Sequence, residues 1–208
     1  MDRRSFYTVN LAPGKVVYGE KLFRQSGIEY REWNVTKSKL GAGIAKGIKD
    51  TGIVPGCYVL YLGCASGTTV SHVSDIVGKK GLIFAVDLSS RVLRELVFIS
   101  EERGNIAPIL ADASKIGELA KTVVLCDVLF QDIAQKTQLA IFLKNLVFLK
   151  KDGYAILCVK SRSIDVTKEP KKIFAEIKRE LSKHITIIDE KNLYPYEKDH
   201  YIFLCRKR

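Results

Sequence analysis

The chain reads Val-Leu-Tyr-Leu-Gly-Cys-Ala-Ser-Gly-Thr-Thr-Val-Ser-His over residues 59–72. An apolar strand therefore leads into a turn of small residues, and a helix begins directly after the turn, near Thr68. Gly63 and Gly67 carry no Cβ atoms, so a ligand can approach the backbone of the turn closely. Thr68 and Thr69 would direct their amides at an anionic group of that ligand. The stretch predicts a cofactor site, and the alternative is a tight strand-to-helix turn.

The spacing of this turn narrows the class of cofactor. A dinucleotide fold would use G-x-G-x-x-G, whereas Gly63 and Gly67 are followed by two threonines without a third glycine. The chain also has no G-x-x-x-x-G-K-[ST] sequence for nucleoside triphosphates. The next predicted strand leads to Asp87, at the position where nucleoside-binding folds place an acceptor for ribose hydroxyls. Together these features predict an adenosine moiety without a pyrophosphate.

Asp112 and Ala113 follow the third predicted strand. A carboxylate at this position can accept a hydrogen bond from the exocyclic amine of adenine, so we expect both residues to line the adenine pocket. The alternative for Asp112 is a helix N-cap.

Strand-like and helix-like segments alternate from about residue 35 to the last residue. This alternation is typical of an α/β sheet with helices on both faces. Apolar spacing predicts helices over residues 89–102 and 134–149, and Pro170 is a favoured first residue for the last helix. The sequence therefore predicts a doubly wound α/β sheet of seven strands. The predicted strands are 58–62, 82–86, 107–110, 123–130, 154–159, 185–189 and 201–205.

The N-terminal residues precede this alternation and differ from it. Strand-like stretches at 6–9, 15–18 and 29–33, with a turn at 12–14, predict short antiparallel strands. We therefore expect a small β domain over residues 1–33 and a larger domain over 34–208, packed together as one body.

The charge of the chain indicates a polyanionic partner. The 208 residues include 34 Lys plus Arg and 23 Asp plus Glu, which gives a net charge of +11 and a pI near 9.4. Such a charge attracts polyanions, and nucleic acid is the obvious candidate. The alternative is a solvated cationic surface, including the basic face of the helix that begins at Pro170.

Other composition features exclude several classes of protein. No apolar stretch approaches the roughly 18 to 20 residues of a membrane span, and no apolar signal core follows Met1, so we expect a soluble, intracellular protein without a membrane partner. The five cysteines form no C-x-x-C pair, and most lie in predicted strands. They predict reduced, buried thiols and neither disulfides nor a metal site.

Motifs along nearly the whole chain carry a more specific signal. They include Tyr-Arg-Glu-Trp-Asn at 30–34, Ser-Lys-Leu at 38–40, the segment 60–75, the segment 91–96, Asn-Ile-Ala-Pro-Ile-Leu-Ala-Asp-Ala at 105–113, Gln-Asp-Ile-Ala-Gln at 131–135, Lys-Ser-Arg-Ser-Ile-Asp at 160–165 and Pro-Tyr-Glu-Lys-Asp-His at 195–200. In this order they resemble fibrillarin, and several are peculiar to that family among S-adenosylmethionine-dependent methyltransferases. The resemblance implies a class I, Rossmann-like methyltransferase fold preceded by the small β domain.

The same resemblance implies an activity and a cofactor site. The expected reaction is methyl transfer from S-adenosyl-L-methionine to ribose 2′-hydroxyls of rRNA, and possibly tRNA, under the direction of a guide RNA. The expected cofactor-binding residues are Gly63, Thr68, Thr69, Asp87, Leu88, Asp112, Ala113, Asp132, Ile133, Ala134 and Gln135.

Four residues resemble the Lys-Asp-Lys-His catalytic set of the family: Lys39, Asp132, Lys160 and His200. Lys160 and Asp132 end neighbouring predicted strands, and sites in open α/β sheets gather at that edge. We expect Lys160 to accept the hydroxyl proton or to bind the developing oxyanion, Asp132 to orient Lys160, Lys39 to hold the target ribose or phosphate, and His200 to shape the rim. The alternatives are a structural Lys160–Asp132 ion pair, a surface Lys39 and a structural His200.

No sequence module for RNA readout is visible, so target choice must come from elsewhere. The resemblance implies a box C/D guide RNA, a Nop-domain scaffold protein and a kink-turn-binding ribosomal-type protein as partners.

The chain departs from the family mildly. Asp87 stands where Glu is common, Cys64 where Ala is common and Lys37 where Arg is usual. Without the glycine- and arginine-rich extension of nucleolar forms, the chain is similar to archaeal fibrillarins, for which we expect a cytoplasmic location. Two other functions stay open: a methyl- or aminopropyltransferase acting on a small molecule, and a non-catalytic ribonucleoprotein scaffold.

Overall fold

A computed structural model describes residues 5–208. Ten strands and seven α-helices follow one another in this range. In chain order they are β1 (Tyr7–Val9), β2 (Leu22–Gln25), β3 (Ile28–Glu32), α1 (Lys39–Ala45), β4 (Tyr58–Leu62), α2 (Thr68–Val77), β5 (Leu82–Asp87), α3 (Ser90–Arg103), β6 (Ile106–Leu110), α4 (Ile116–Leu119), β7 (Cys126–Gln131), α5 (Gln138–Asn145), β8 (Leu149–Lys160), α6 (Ser161–Ile164), α7 (Pro170–His184), β9 (Thr186–Asn192) and β10 (His200–Arg206).

The larger sheet has seven strands in the order β6-β5-β4-β7-β8-β10-β9. The pairs from β6 to β8 are parallel, whereas β10 runs antiparallel to both β8 and β9. The order reverses direction beside β4, where β5 and β7 lie on either side of it. Open α/β sheets bind ligands at such a switch point, outside the carboxyl ends of the strands. The predicted doubly wound, seven-stranded sheet is confirmed.

Side chains of the central strands alternate between two apolar layers. In β4, Val59 and Tyr61 pack into one layer, whereas Leu60 and Leu62 pack into the other. The first layer is covered by α1, α2 and α3, and the second by α4, α5 and α7. This arrangement follows from the strand period of two, because both faces of a parallel sheet are buried under helices. The rigid layers fix the positions of the strand ends that carry the site.

A second, antiparallel sheet has the order β1-β3-β2. The predicted strand at 15–18 is wrong, and the strand beside β3 is β2. Residues 15–18 form no strand because the Glu20 carboxylate accepts hydrogen bonds from the backbone amides of Val17 and Tyr18, which holds the chain in a turn there. A strand would need those amides for its own ladder.

Buried polar contacts join the small sheet to α2. Arg31 in β3 is fully buried and donates to the Asp75 carboxylate at 2.9 Å and to Ser71 Oγ at 3.0 Å. Arg103 donates to the other Asp75 oxygen at 2.6 Å. A buried carboxylate with two guanidinium partners keeps its charge satisfied, so these contacts hold the two sheets together.

Two predicted elements differ most from the observed ones in their boundaries. The helix predicted over 134–149 is shorter, since α5 covers Gln138–Asn145 and a 3-10 turn follows over Leu146–Phe148. The strand predicted over 154–159 is longer, since β8 covers Leu149–Lys160. The helix predicted to begin at Pro170 does begin there.

All five cysteines are buried, free thiols. Within residues 5–208, no helix combines the length and the apolar character that crossing a membrane requires.

Candidate functional site

The carboxyl ends of four parallel strands bring the candidate residues to one edge of the sheet. Gly63 follows β4, Asp87 ends β5, Asp132 follows β7 and Lys160 ends β8. The antiparallel β10 begins at the same edge with His200, which is the register partner of Lys160. Residues far apart in the sequence therefore meet because parallel strands end on the same side.

A cavity of about 260 Å³ opens at this edge. Its walls come from the loops that follow β4, β5, β6 and β7. The sequence-predicted cofactor residues that line it are Gly63, Asp87, Leu88, Asp112, Ala113, Asp132, Ile133, Ala134 and Gln135. The two threonines at 68 and 69 begin α2 and do not belong to the lining.

The turn after β4 is as tight as its small residues suggest. Gly63 has φ +80°, and a Cβ atom there would collide with the backbone carbonyl of Asp132. Gly67 has φ +97°, and a Cβ atom there would lie 2.7 Å from Leu96 Cδ1. Both conformations are unfavourable for residues with side chains, so glycine is needed for both backbone shape and space. The amide of Gly63 also donates to the Val86 carbonyl at 2.9 Å, which fixes the turn against β5.

Asp87 is held in place by the backbone around it. Its Oδ2 accepts from the amide of Ala65 at 2.9 Å, and its Oδ1 accepts from the amide of Ser89 at 2.9 Å. Each oxygen has a second lone pair for a ligand hydroxyl. No Lys, Arg or His among residues 5–208 forms an ion pair with this carboxylate. Asp87 is therefore an oriented acceptor at the cavity wall.

Asp112 has a similar arrangement after β6. Its Oδ1 accepts from the amide of Ser114 at 2.8 Å, and this hydrogen bond lowers the pKa of the carboxyl. The side chain of Leu88, 61% exposed, lies on the same cavity. The cavity thus combines two fixed carboxylates with an exposed apolar side chain, which suits a ligand with a flat ring and hydroxyl groups.

Lys39 and Asp132 form an ion pair at the lip of this cavity. Lys39 Nζ lies 2.9 Å from Asp132 Oδ2, and both side chains are about four-fifths buried, with 22% and 20% exposed. Burial favours a lower pKa for Lys39, but the charge and hydrogen bond of Asp132 outweigh it, and the net pKa is raised. Lys39 is therefore a cation at neutral pH.

The backbone around Lys39 is fixed by a cap. Ser38 is the N-cap of α1, and its Oγ accepts from the amide of Gly41 at 3.1 Å. Thr69 Oγ1 donates to Ser38 Oγ at 3.0 Å, which ties the start of α1 to the start of α2. Thr69 thus contacts the element that carries Lys39.

Lys160 and His200 complete the predicted set. Lys160 is exposed, and among residues 5–208 no carboxylate lies within ion-pair distance of its Nζ. The Asp132 carboxylate is hydrogen-bonded to Lys39 and not to Lys160. His200 is buried, and its Nδ1 donates to the Lys198 carbonyl at 2.6 Å. The structure brings the four residues to one edge, with Lys160 free to contact a substrate.

Several residues that line the cavity were not among the sequence-predicted site residues. They are Ala65, Val86, Ala111 and Ile141. Ala65 had a signal in the sequence, since it lies within the glycine turn, and its φ of +47° points its amide at Asp87. The apolar side chains of Val86 and Ile141 could not be distinguished from core residues by their spacing.

Comparisons with known proteins match nearly the whole chain. A sequence model described as fibrillarin matches residues 1–208. A fibrillarin-like rRNA/tRNA 2′-O-methyltransferase from Pyrococcus horikoshii is 57% identical over 201 residues, which cover 96% of this chain and 88% of that protein.

Two solved structures are also similar. Aeropyrum pernix fibrillarin, solved in complex with natively bound S-adenosyl-L-methionine, has a TM-score of 0.89 and 42% identity, covering 96% of this chain and 87% of that chain. A chain of a fibrillarin/Nop5p complex has a TM-score of 0.87 and 40% identity, covering 96% of this chain and 93% of that chain. The fold, the sequence match over the whole chain and these relatives show that this chain belongs to the fibrillarin family.

Proposed function

We propose that this chain is an RNA-guided methyltransferase that transfers the methyl group of S-adenosyl-L-methionine to ribose 2′-hydroxyls of rRNA and tRNA. One observation carries the proposal: Asp132 lines the cavity and also holds Lys39 at its lip, with a 2.9 Å ion pair. A cofactor pocket and a fixed cation for a second substrate therefore meet at a single residue. The family relationship supplies the reaction class.

The cavity residues fit S-adenosyl-L-methionine. Asp87 would accept hydrogen bonds from the ribose hydroxyls and Asp112 from the exocyclic amine, since both carboxylates are oriented by backbone amides. Leu88 would pack on the adenine ring, and the loop of Ile133 to Gln135 would close the opposite wall. The turn at Gly63 leaves the backbone accessible, as a close-fitting ligand requires.

When bound, the cofactor supplies a methyl group on a sulfonium, whose leaving group is already good. The residues of the chain then mainly have to orient the target oxygen and handle its proton. Lys39, kept cationic by Asp132, would bind a phosphate or ribose oxygen of the target RNA. Lys160 Nζ, exposed at the end of β8, would hydrogen-bond the 2′-oxygen, and the hydroxyl proton would leave to solvent at this exposed edge as the oxygen takes the methyl group. His200 is buried and is the register partner of Lys160 between β10 and β8, and it would shape the rim of the site.

The proposed partners follow from the charge of the chain and from its relatives. A net charge of +11 favours binding to an RNA backbone. One relative was solved as a complex with Nop5p. We propose a Nop-domain scaffold, a kink-turn-binding ribosomal-type protein and a box C/D guide RNA as partners of this chain. The cytoplasmic location expected from the sequence stays a prediction.

A guide-shift experiment tests this function. The chain is assembled with the scaffold, the kink-turn-binding protein and either of two guide RNAs whose pairing with one target differs by a single nucleotide. The site of 2′-O-methylation is then mapped. We expect the methylated nucleotide to move by one position with the guide. Methylation of a free metabolite without RNA would favour the small-molecule transferase, and assembly without uptake of S-adenosyl-L-methionine would favour the scaffold.

A further inference from the structure

Gln138, at the start of α5, is a fully buried side chain beside the candidate site. Its Nε2 donates to the carbonyl of Gln135 at 2.8 Å and to the carbonyl of Lys160 at 3.4 Å. Its Oε1 accepts from the amide of Lys160 at 3.2 Å. One side chain therefore contacts both the cavity loop and the backbone of the exposed lysine.

The need for these contacts follows from the sheet register. The last residue of β7 to pair with β8 is Gln131, opposite Leu157, and β8 continues beyond that pair to Lys160. The Lys160 amide and carbonyl that face the β7 side have no strand partner, because β7 has ended. The side-chain amide of Gln138 forms the two hydrogen bonds that a neighbouring strand would otherwise form with Lys160. An unpaired backbone group in this half-buried position would cost free energy, so the substitute partner fixes the end of β8.

A second buried side-chain amide, that of Gln131, links Gln138 to the residue next to Asp132. Gln131 is fully buried, and its Nε2 donates to the backbone carbonyl of Gln138 at 2.7 Å. Gln131 directly precedes Asp132, whose amide donates to the Leu62 carbonyl. A chain of hydrogen bonds therefore runs from the residue before Asp132, through Gln138, to Lys160. Polar side chains this deeply buried need such partners, and a satisfied chain makes the local backbone rigid.

We propose that Gln138 is a positioning residue for methyl transfer, which holds the backbone of Lys160 at a fixed distance from the Gln135 loop of the cofactor cavity. The inference rests on the proposed function and on the role proposed there for Lys160. Gln138 does not touch the substrate, and it acts through Lys160. Displacement of a reacting or orienting group by about 1 Å can cost about a hundredfold in rate.

A double-mutant cycle tests this inference. Gln138→Met keeps a similar volume but removes all three hydrogen bonds, and it is combined with Lys160→Ala. Single-turnover methyl transfer is measured in the assembled particle at saturating S-adenosyl-L-methionine and target RNA. We expect Gln138→Met to slow transfer by roughly tenfold to a hundredfold when Lys160 is present, and by less than about twofold in the Lys160→Ala background.

A matched control separates positioning from general stability. Asn105 is also a buried amide, which donates to the Ser74 and Gly78 carbonyls away from the cavity. We expect Asn105→Leu to lower the thermal midpoint but to leave the single-turnover rate within about twofold. If Gln138→Met does not fold, the same cycle is run with Gln138→Asn, which keeps the side-chain amide but shortens its reach by one methylene group.

The outcomes distinguish the inference from the function on which it rests. Equal losses for Gln138→Met in both backgrounds, or a wild-type rate for a folded Gln138 variant, would overturn the positioning role alone. A wild-type rate for Lys160→Ala would overturn the role of Lys160, and the inference with it. An assembled wild-type particle that transfers no methyl group would contradict the proposed function itself.

Discussion

Lys39 and Asp132 are 93 residues apart in the sequence, yet Lys39 Nζ and Asp132 Oδ2 lie 2.9 Å apart. The contact joins the first turn of α1 to the loop after β7. Because Asp132 also lines the cavity, the position of the lysine is set directly by the cavity wall.

Removal of the Asp132 charge is expected to impair transfer. In Asp132→Asn, Lys39 loses its ionic partner while its burial remains, so the pKa of Lys39 falls and its position is no longer fixed. We expect single-turnover methyl transfer to drop by at least about a hundredfold. The control is Asp127→Asn, which breaks the ion pair of Asp127 with Lys150 at the opposite end of β7. A similar loss in both variants would contradict the assignment.

Asp87 is expected to contribute to cofactor affinity through its negatively charged carboxylate. Asp87→Ala removes a charged acceptor, which is worth about 1.5 to 3 kcal/mol, so affinity for S-adenosyl-L-methionine should fall by roughly tenfold to a hundredfold. Asp87→Glu restores the residue common in the family and should bind within about threefold of the wild type. Calorimetric titration measures both, with Glu101→Ala as an exposed-carboxylate control. Unchanged affinity in Asp87→Ala would refute the ribose contact.

His72 makes folding depend on pH. His72 Nδ1 lies 2.8 Å from Thr8 Oγ1, which donates to Asp75 at 2.6 Å, and His72 Nε2 lies 2.7 Å from the Tyr18 hydroxyl, which donates to the Glu32 carbonyl at 3.0 Å. Burial, with the charges of Arg31 and Arg103, lowers the pKa of His72 from 6.5 to about 2.

The unfolded chain therefore binds a proton at His72 below pH 6.5 that the folded chain does not bind until about pH 2. Its contribution to stability is fully present above pH 6.5 and decreases as the pH falls, by about 1.4 kcal/mol per pH unit. Urea unfolding at pH 7 and pH 5 should show a smaller pH effect in His72→Gln than in the wild type. His184→Gln, which changes an exposed histidine, should keep the wild-type effect. Equal pH effects in all three proteins would rule out a neutral buried His72.

Two glycine-to-alanine substitutions separate the effect of a steric clash from the effect of backbone strain. Gly63→Ala and Gly56→Ala both place a side chain at positive φ, +80° and +84°, but only at residue 63 would the new Cβ atom meet other atoms. The backbone conformation alone costs about 1 to 2 kcal/mol, so Gly56→Ala should show only that loss in urea unfolding. Gly63→Ala should lose more stability and should also bind S-adenosyl-L-methionine at least about tenfold more weakly. Equal behaviour of the two variants would mean that the turn is not tight.

The sequence was sufficient for the sheet and for the edge at which the site lies. Apolar alternation and glycine placement locate β4, and the rule for parallel strands then brings Asp87, Asp132 and Lys160 to one edge. The strand predicted at 15–18 failed because Glu20 takes its amides, a contact that local propensity does not reveal.

The sequence also could not predict which side chains contact each other within the site. The resemblance indicated two lysines and an aspartate, but which lysine binds Asp132 depends on how α1 packs against the sheet, and the contact is made by Lys39. The role of Gln138 depends on the register of β7 and β8, because the unpaired backbone at Lys160 exists only where β7 ends first. Neither the packing of α1 nor this register could be read from periodicity.

The most direct measurement is transfer of a tritiated methyl group from S-adenosyl-L-methionine to guide-paired RNA in the assembled particle, with a 2′-hydroxyl or a 2′-deoxy target nucleotide. We predict label only on the 2′-hydroxyl target, at the single guide-specified nucleotide. Label on the 2′-deoxy target would place the methyl group on another atom, and the absence of label on both targets would contradict the catalytic account.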